Sequence, residues 1–123
     1  MTGFNQGRLG NLSDKEQRVA SALVSRILEE FDGQLVTAVL FGSRARGDAE
    51  PDSDMDVLVV LPGVDLETRR EVHNLAADVW LEYGIYLSVR IRSLAQWHRL
   101  GELQTQLYRN ICRDGIDILK LVA

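Results

Sequence analysis

Phe41-Gly42-Ser43-Arg44-Ala45-Arg46-Gly47-Asp48-Ala49-Glu50-Pro51-Asp52-Ser53-Asp54-Met55-Asp56, running on into Val57-Leu58-Val59-Val60, is the stretch from which the fold can be read. The apolar run from Leu35 to Phe41 predicts a strand, and Gly42-Ser43 predicts a turn into a short helical segment. Glycine lets a backbone come close to a ligand, serine adds a hydroxyl, and a helix start offers N–H groups without backbone partners. Together they suit a phosphate, with Arg44 and Arg46 as charge partners. A Gly-Ser pair before a helix is also ordinary capping, so the turn alone is a weak signal.

The stronger signal follows. Ten residues separate Ser43 from Asp54, and Asp54-Met55-Asp56 opens a very apolar strand predicted over Asp54 to Leu61, ended by Pro62-Gly63. Side chains two apart on a strand point to the same side, so Asp54 and Asp56 project together. Two carboxylates that close repel, and one is pushed toward its protonated form unless a cation neutralises them. A magnesium ion held by one or two carboxylates and by substrate phosphates satisfies that demand. The competing reading is a solvated strand end, which the phosphate turn nearby argues against.

Outward from this centre the pattern is regular. Residues 1–11, with Gly3, Gly7 and Gly10, read as a loose leader. Ser13-Asp14-Lys15-Glu16 is a capping box. Ala20, Leu23, Val24, Ile27, Leu28 and Phe31 follow at helical spacing, with Gly33 as the stop. Asp65 opens a second long helix whose buried stripe is Val72, Leu75, Ala76 and Val79, ending at Gly84. Ile85, Leu87, Val89 and Ile91 then alternate with Tyr86, Ser88, Arg90 and Arg92, the mark of a half-buried strand. Ser93 caps a short helix through Trp97, and Leu103, Leu107 and Ile111 predict a last helix before Gly115 and an apolar tail. The order predicts an α/β fold, a small sheet with helices packed on it, as a single domain over residues 1–123.

The chain of 123 residues has a net charge of −4, which argues against a binder of duplex nucleic acid. Its twelve arginines against two lysines favour planar contacts to phosphate or carboxylate, although genomic composition produces the same bias. One cysteine, Cys112, forbids an internal disulfide, and its place in an apolar-periodic stretch makes it a core filler. No stretch reaches the roughly 18 apolar residues of a membrane span, and no signal peptide is evident. These features predict a cytoplasmic protein. His73 reads as a surface residue and His98 as neither catalytic nor metal-binding. Trp80, Trp97 and Tyr108 read as core or interface.

Gly42-Ser43, ten residues, then Asp54-x-Asp56 resembles the signature of the nucleotidyltransferase superfamily typified by DNA polymerase beta. The fuller string from Gly42 to Asp56 is similar to the short bacterial and archaeal branch, the minimal nucleotidyltransferases. The resemblance is tight over residues 38–61 and consistent in element order beyond them. It implies the nucleotidyltransferase fold, a small mixed sheet with helices packed on it. It also implies attack of an acceptor on the α-phosphate of a nucleoside triphosphate such as ATP, with pyrophosphate leaving. On that pattern Gly42 and Ser43 hold the terminal phosphates, with Arg44 and Arg46 beside them. Asp54 and Asp56 bind Mg²⁺ or Mn²⁺ and are the catalytic pair. Minimal nucleotidyltransferases are commonly paired with a small helical protein of the HEPN type, often a toxin, so the resemblance also implies an antitoxin role.

The chain departs from the pattern at one place. Fully catalytic members carry a third acidic residue on the strand after the second long helix, and here the corresponding residue is Ser88. No Asp or Glu lies between Glu82 and Glu102, so no slip in alignment supplies one. Two readings follow. Either two carboxylates still bind metal and triphosphate, with transfer weakened, or the protein is a degenerate binding module that neutralises its partner by contact. A chain of this length has no platform for an acceptor, so a partner protein, a second copy of the chain or a small molecule supplies it. The face with Tyr86, Ser88, Arg90 and Arg92 is the candidate contact surface.

Overall fold

The computed structural model describes residues 10–122, so nearly all of the predicted leader lies outside the described residues. Helix α1 (Asp14–Glu30) is followed by strand β1 (Thr37–Phe41), a one-turn helix α2 (Ser43–Arg46) and strand β2 (Met55–Leu61). Then come α3 (Leu66–Tyr83), β3 (Leu87–Ser93), α4 (Leu94–Leu103), α5 (Gln106–Asp114), β4 (Ile116–Asp117) and a final 3-10 turn, Leu119–Leu121. The strands form one mixed sheet in the order β3-β2-β1-β4. β1 runs antiparallel to β2 and to β4, whereas β2 and β3 are parallel and joined through α3. The α/β architecture is the expected one.

Local chemistry accounts for the element ends. The Ser13 hydroxyl accepts from the Glu16 N–H and the Glu16 carboxylate accepts from the Ser13 N–H, closing the capping box at 3.0 and 2.8 Å. The Asp65 carboxylate caps α3, and Gly84 ends it at φ +81 with its N–H on the Trp80 carbonyl.

Three details differ from the sequence reading. The stripe Leu103, Leu107, Ile111 spans two helices: α4 ends at Gln104 in a left-handed conformation, and Thr105 caps α5 by accepting from the Tyr108 N–H. The helix after Ser93 thus runs past Trp97 to Leu103. The apolar tail contributes β4, whose Ile116 pairs with Leu40.

β2 is buried on both faces. Met55, Val57, Val59 and Leu61 pack with α1 and α3 residues such as Leu23, Ile27, Val72 and Val79. Leu58 and Val60 face the other way, with Val39 and Phe41 of β1, and are covered by Trp97 of α4 and Ile111 of α5. A strand covered on both sides reads as a continuous apolar run, which explains Val57 to Leu61. Asp56 interrupts that second face, two residues before Leu58.

α1 and α2 are tied together by charge. Arg44 is only 8% exposed, and its Nη1 donates to Glu16 Oε2 at 2.8 Å. Its Nε and Nη2 donate to the Ser53 carbonyl at 2.9 and 2.7 Å, and Nη2 also reaches the Pro51 carbonyl at 3.1 Å. Glu16 therefore serves the α1 cap and the Arg44 ion pair at once. Burial pushes its carboxyl up, but the Ser13 N–H and the Arg44 guanidinium outweigh burial and hold it below the ordinary 4.5. A lowered carboxyl stabilises the fold above its unfolded pKa, and that stability is lost as pH falls through the folded value.

Glu16→Gln keeps an amide able to close the capping box but removes the charge beside buried Arg44. Urea unfolding at neutral pH is expected to show a loss of about 3 kcal/mol. The parent's stability is expected to fall more steeply than the variant's as pH drops below 4.5.

Candidate active site

β1 and β2 are in a register that sets Phe41 opposite Asp56. The residue after Phe41 therefore passes directly beneath the Asp56 side chain. That residue is Gly42, at φ +80, a conformation L side chains rarely adopt. A Cβ built there would collide with Asp56 Oδ2, so two independent constraints select glycine. The turn and the second aspartate of the sequence motif thus meet at one point.

Ser43 begins α2 beside that contact and is partly exposed, and among the described residues none is hydrogen-bonded to its hydroxyl. The turn of α2 is closed by Gly47 at φ +87, whose N–H donates to the Ser43 carbonyl. Asn11 Nδ2 donates to the Ala45 and Arg46 carbonyls at 3.2 and 3.4 Å, bracing the far end of that turn.

The two arginines of the turn are placed differently from one another. Arg44 points into the protein, and its three nitrogens are engaged by Glu16, Pro51 and Ser53. Its effect on the site runs through the Ser53 carbonyl, which fixes the backbone immediately before Asp54. The Ser53 hydroxyl accepts from the Glu50 N–H, tightening the same loop. Arg46 is more exposed and lies between Asp48 and Asp114, its Nη1 donating to Asp114 Oδ2 at 2.9 Å. Asp114 is buried and is also bonded by Arg113, so α2 is pinned to the end of α5. Sequence reading missed the Glu16 and Asp114 anchors, because nothing local marks contacts 28 and 68 residues apart.

Asp54 is exposed just ahead of β2 and Asp56 is partly buried within it. Burial chiefly, and then the charge of Asp54, push the Asp56 carboxyl above its ordinary 3.8, while Arg90 and Arg46 pull it down. Ser88 of β3 lies directly across from Asp56 in the parallel register. The position that would carry a third acid is therefore beside Asp56 and holds a hydroxyl. Arg90 Nη1 donates to Ser88 Oγ at 3.3 Å, so a guanidinium stands near where a third carboxylate would be.

Among the described residues no group of three His, Cys, Asp or Glu is arranged to hold a metal ion. Two oxygen-donor carboxylates remain, one of them made costly to ionise by burial and by its neighbour. That set fits a hard divalent cation whose other ligands come from phosphate and water, and it does not fit a closed all-protein metal cage.

The remaining residues fall as follows. His73 and His98 are exposed, and Cys112 is half-buried against Tyr108. Trp97 is buried and packs on Tyr108 at 4.9 Å, whereas Trp80 is 43% exposed and meets Tyr86 edge-on. No helix among the described residues is long and apolar enough to cross a membrane.

Comparison with known proteins accords with this geometry. Residues 22–109 match the family described as "Nucleotidyltransferase domain". A protein of Methanocaldococcus jannaschii named "Putative protein adenylyltransferase MJ0604" is 27% identical over 100 residues, covering 81% of this chain and 94% of that protein. A second from the same archaeon, "Putative protein adenylyltransferase MJ0141", is 35% identical over 66 residues, 53% of this chain and 64% of its own length. A crystal structure described as a "putative nucleotidyltransferase from Sulfolobus solfataricus" superposes with a TM-score of 0.55 at 17% identity, covering 95% of this chain and 90% of that one. A crystal structure described as "the toxin-antitoxin with AMP-PNP" gives 0.54 at 18% identity, covering 80% and 71%. The structural likenesses concern the fold, and the sequence match extends over most of the chain, motif included. This chain belongs to the nucleotidyltransferase domain family.

Proposed function

We propose that this protein binds a nucleoside triphosphate together with Mg²⁺ and transfers its nucleotidyl group to a hydroxyl on a partner protein of the HEPN type. The observation that carries the reading is the packing of the Asp56 carboxylate on the Gly42 backbone. A ligand seated on the turn is thereby adjacent to the carboxylates. The relatives named as protein adenylyltransferases support a protein acceptor, and the toxin–antitoxin likeness supports the class of partner. Such a role belongs in the cytoplasm, where triphosphates and Mg²⁺ are abundant.

In this reading Gly42 gives the phosphates access to the backbone, and the Ser43 hydroxyl contacts a terminal phosphate. Arg46 adds positive charge at the rim. Arg44 acts at one remove, holding the loop that delivers Asp54. Asp54 and Asp56 hold the cation, which when bound supplies charge neutralisation at the phosphate oxygens. The acceptor oxygen forms a bond to the α-phosphorus, the bond to the bridging oxygen breaks, and pyrophosphate leaves with that electron pair. The acceptor proton must go to solvent or to a partner group, because Ser88 is too weak a base to take it.

One observation favours a second reading. Arg90 donates to Ser88 and its charge acts on Asp56, partly doing what a cation would do. A module that neutralises its partner by contact needs no more. Asp54→Asn with Asp56→Asn distinguishes the two, since masking by contact survives the change and modification does not.

Three outcomes are expected. Calorimetry with ATP, GTP, CTP and UTP should show binding only when Mg²⁺ is present, and none for the Asp54→Asn, Asp56→Asn variant. Equal binding by that variant would refute the site. Because the folded state raises the Asp56 pKa, its ionised form destabilises the free fold above that value, and stability recovers as pH falls through it. Asp56→Asn should therefore raise the melting temperature of the free protein at neutral pH, while abolishing the further rise that Mg²⁺ and nucleotide give the parent. Finally, a missing general base lowers rates by roughly 10²–10⁴-fold. Ser88→Asp should raise transfer to the partner, and more so with Arg90→Gln, which keeps Arg90 from capturing the new carboxylate. Transfer by the parent as fast as by these variants would contradict the role given to position 88.

A further inference from the structure

We propose that the arginine-lined cleft between β3 and α4 receives an acidic segment of the acceptor protein. The inference rests on the protein-acceptor reading above and names where that acceptor docks. Arg69 of α3 and Arg92 of β3 both donate an Nη1 to the carbonyl of Ile91, at 3.1 and 2.9 Å. β3 is an outer strand of the sheet, so two guanidinium groups converge on the backbone of an edge. Gln96, Arg99 and Leu100 of α4 complete an open cleft of about 330 Å³.

The convergence is not neutralised. Among the described residues the ion pairs do not include Arg69, Arg90 or Arg92. Arg99 meets Glu102 only at 3.7 Å, with both side chains largely exposed. Burial, and then the charges of Arg69 and Arg90, work against the charged form of Arg92. An anion seated between the guanidinium groups relieves that repulsion and accepts the planar, forked hydrogen bonds that arginine offers.

A carboxylate-bearing peptide fits better than nucleic acid. The positive charge is confined to three arginines in one short cleft instead of a stripe along which a phosphate backbone could run, and Leu100 gives the cleft an apolar wall that suits a peptide side chain. The triphosphate has its own proposed place at Gly42 and Ser43, across β2 from this strand. Ser88 and Arg92 are four residues apart on β3, or about 13 Å along the strand. An extended segment with its acidic residues in the cleft spans that distance in about four residues, bringing a neighbouring hydroxyl to the carboxylates.

The test uses the whole chain and fluorescent octaglutamate, with octaglutamine and octauridylate as comparison probes. Fluorescence anisotropy follows their binding, and calorimetry follows Mg²⁺·ATP binding in the same samples. The parent is expected to bind octaglutamate at low salt at least about tenfold more tightly than either comparison probe. Arg69→Gln, Arg92→Gln and Arg99→Glu should each weaken it by about fivefold or more. Arg99 is exposed, so Arg99→Glu keeps the test decisive if a change at Arg69 or Arg92 prevents folding. Octaglutamate that binds no better than octaglutamine, or is unaffected by these changes, overturns the cleft. So does octauridylate binding equally well. If octaglutamate binds as expected while ATP does not bind, the nucleotide reading fails and the cleft stands. If ATP binds and octaglutamate does not, the reverse holds.

Discussion

The packing of the Asp56 carboxylate on the backbone of Gly42 is the contact around which the rest of this structure is arranged. It follows from register. With Phe41 opposite Asp56, the chain leaving β1 has to turn under that side chain, and only a residue without a Cβ can do so at φ +80. The double-sided core around β2 makes the register hard to shift, since a slip of one residue would move Leu58 and Val60 to the opposite face. The hydrophobic core therefore determines where a carboxylate stands relative to the Gly42–Ser43 turn. Arg44 extends the same logic to Asp54 by gripping Ser53 from within the protein.

This arrangement works against stability. Asp56 is partly buried beside Asp54, and both burial and proximity disfavour its charge. Proteins hold such groups where binding or chemistry uses them. Here the compensation comes from elsewhere: the capping box at Ser13, the buried Glu16–Arg44 pair and the Arg46–Asp114 link all brace the segment that carries the strain. Across from Asp56 stands the Ser88 hydroxyl, which adds no further negative charge to the site, and Arg90 is the nearest charged neighbour on β3. On the proposed function, the hydroxyl at position 88 would weaken proton abstraction while sparing the fold a third carboxylate beside Asp56.

Much of this was legible in the sequence, for local reasons. The capping box at Ser13, the αL stop at Gly84 and the period-two alternation of β3 are each encoded within a few residues. The parallel adjacency of β2 and β3 follows from element order, because a strand–helix–strand unit sets its strands parallel, whereas position 88 is singled out by the family resemblance and its register with Asp56 only by the structure. What escaped was long-range or too short. Arg44 looked like a phosphate contact because its partner Glu16 is 28 residues away and already assigned to a cap. β4 has two residues, too few to display a period, and Leu103 kept the four-residue spacing of Leu107 and Ile111 across a helix break at Gln104. The meeting of Arg69 and Arg92 at Ile91 depends on how α3 packs on the sheet edge, which no spacing records.

On the function proposed for this protein, one cation and one triphosphate share the space between the Gly42–Ser43 turn and the two aspartates. Nuclear magnetic resonance of the whole chain with trace Mn²⁺ and a non-hydrolysable ATP analogue tests it most directly, since the metal broadens the signals of nearby amides. Selective broadening is expected at Gly42, Ser43, Asp54, Met55 and Asp56, and it should require the nucleotide as well as the metal. Broadening scattered over surface carboxylates and indifferent to the nucleotide would contradict that function.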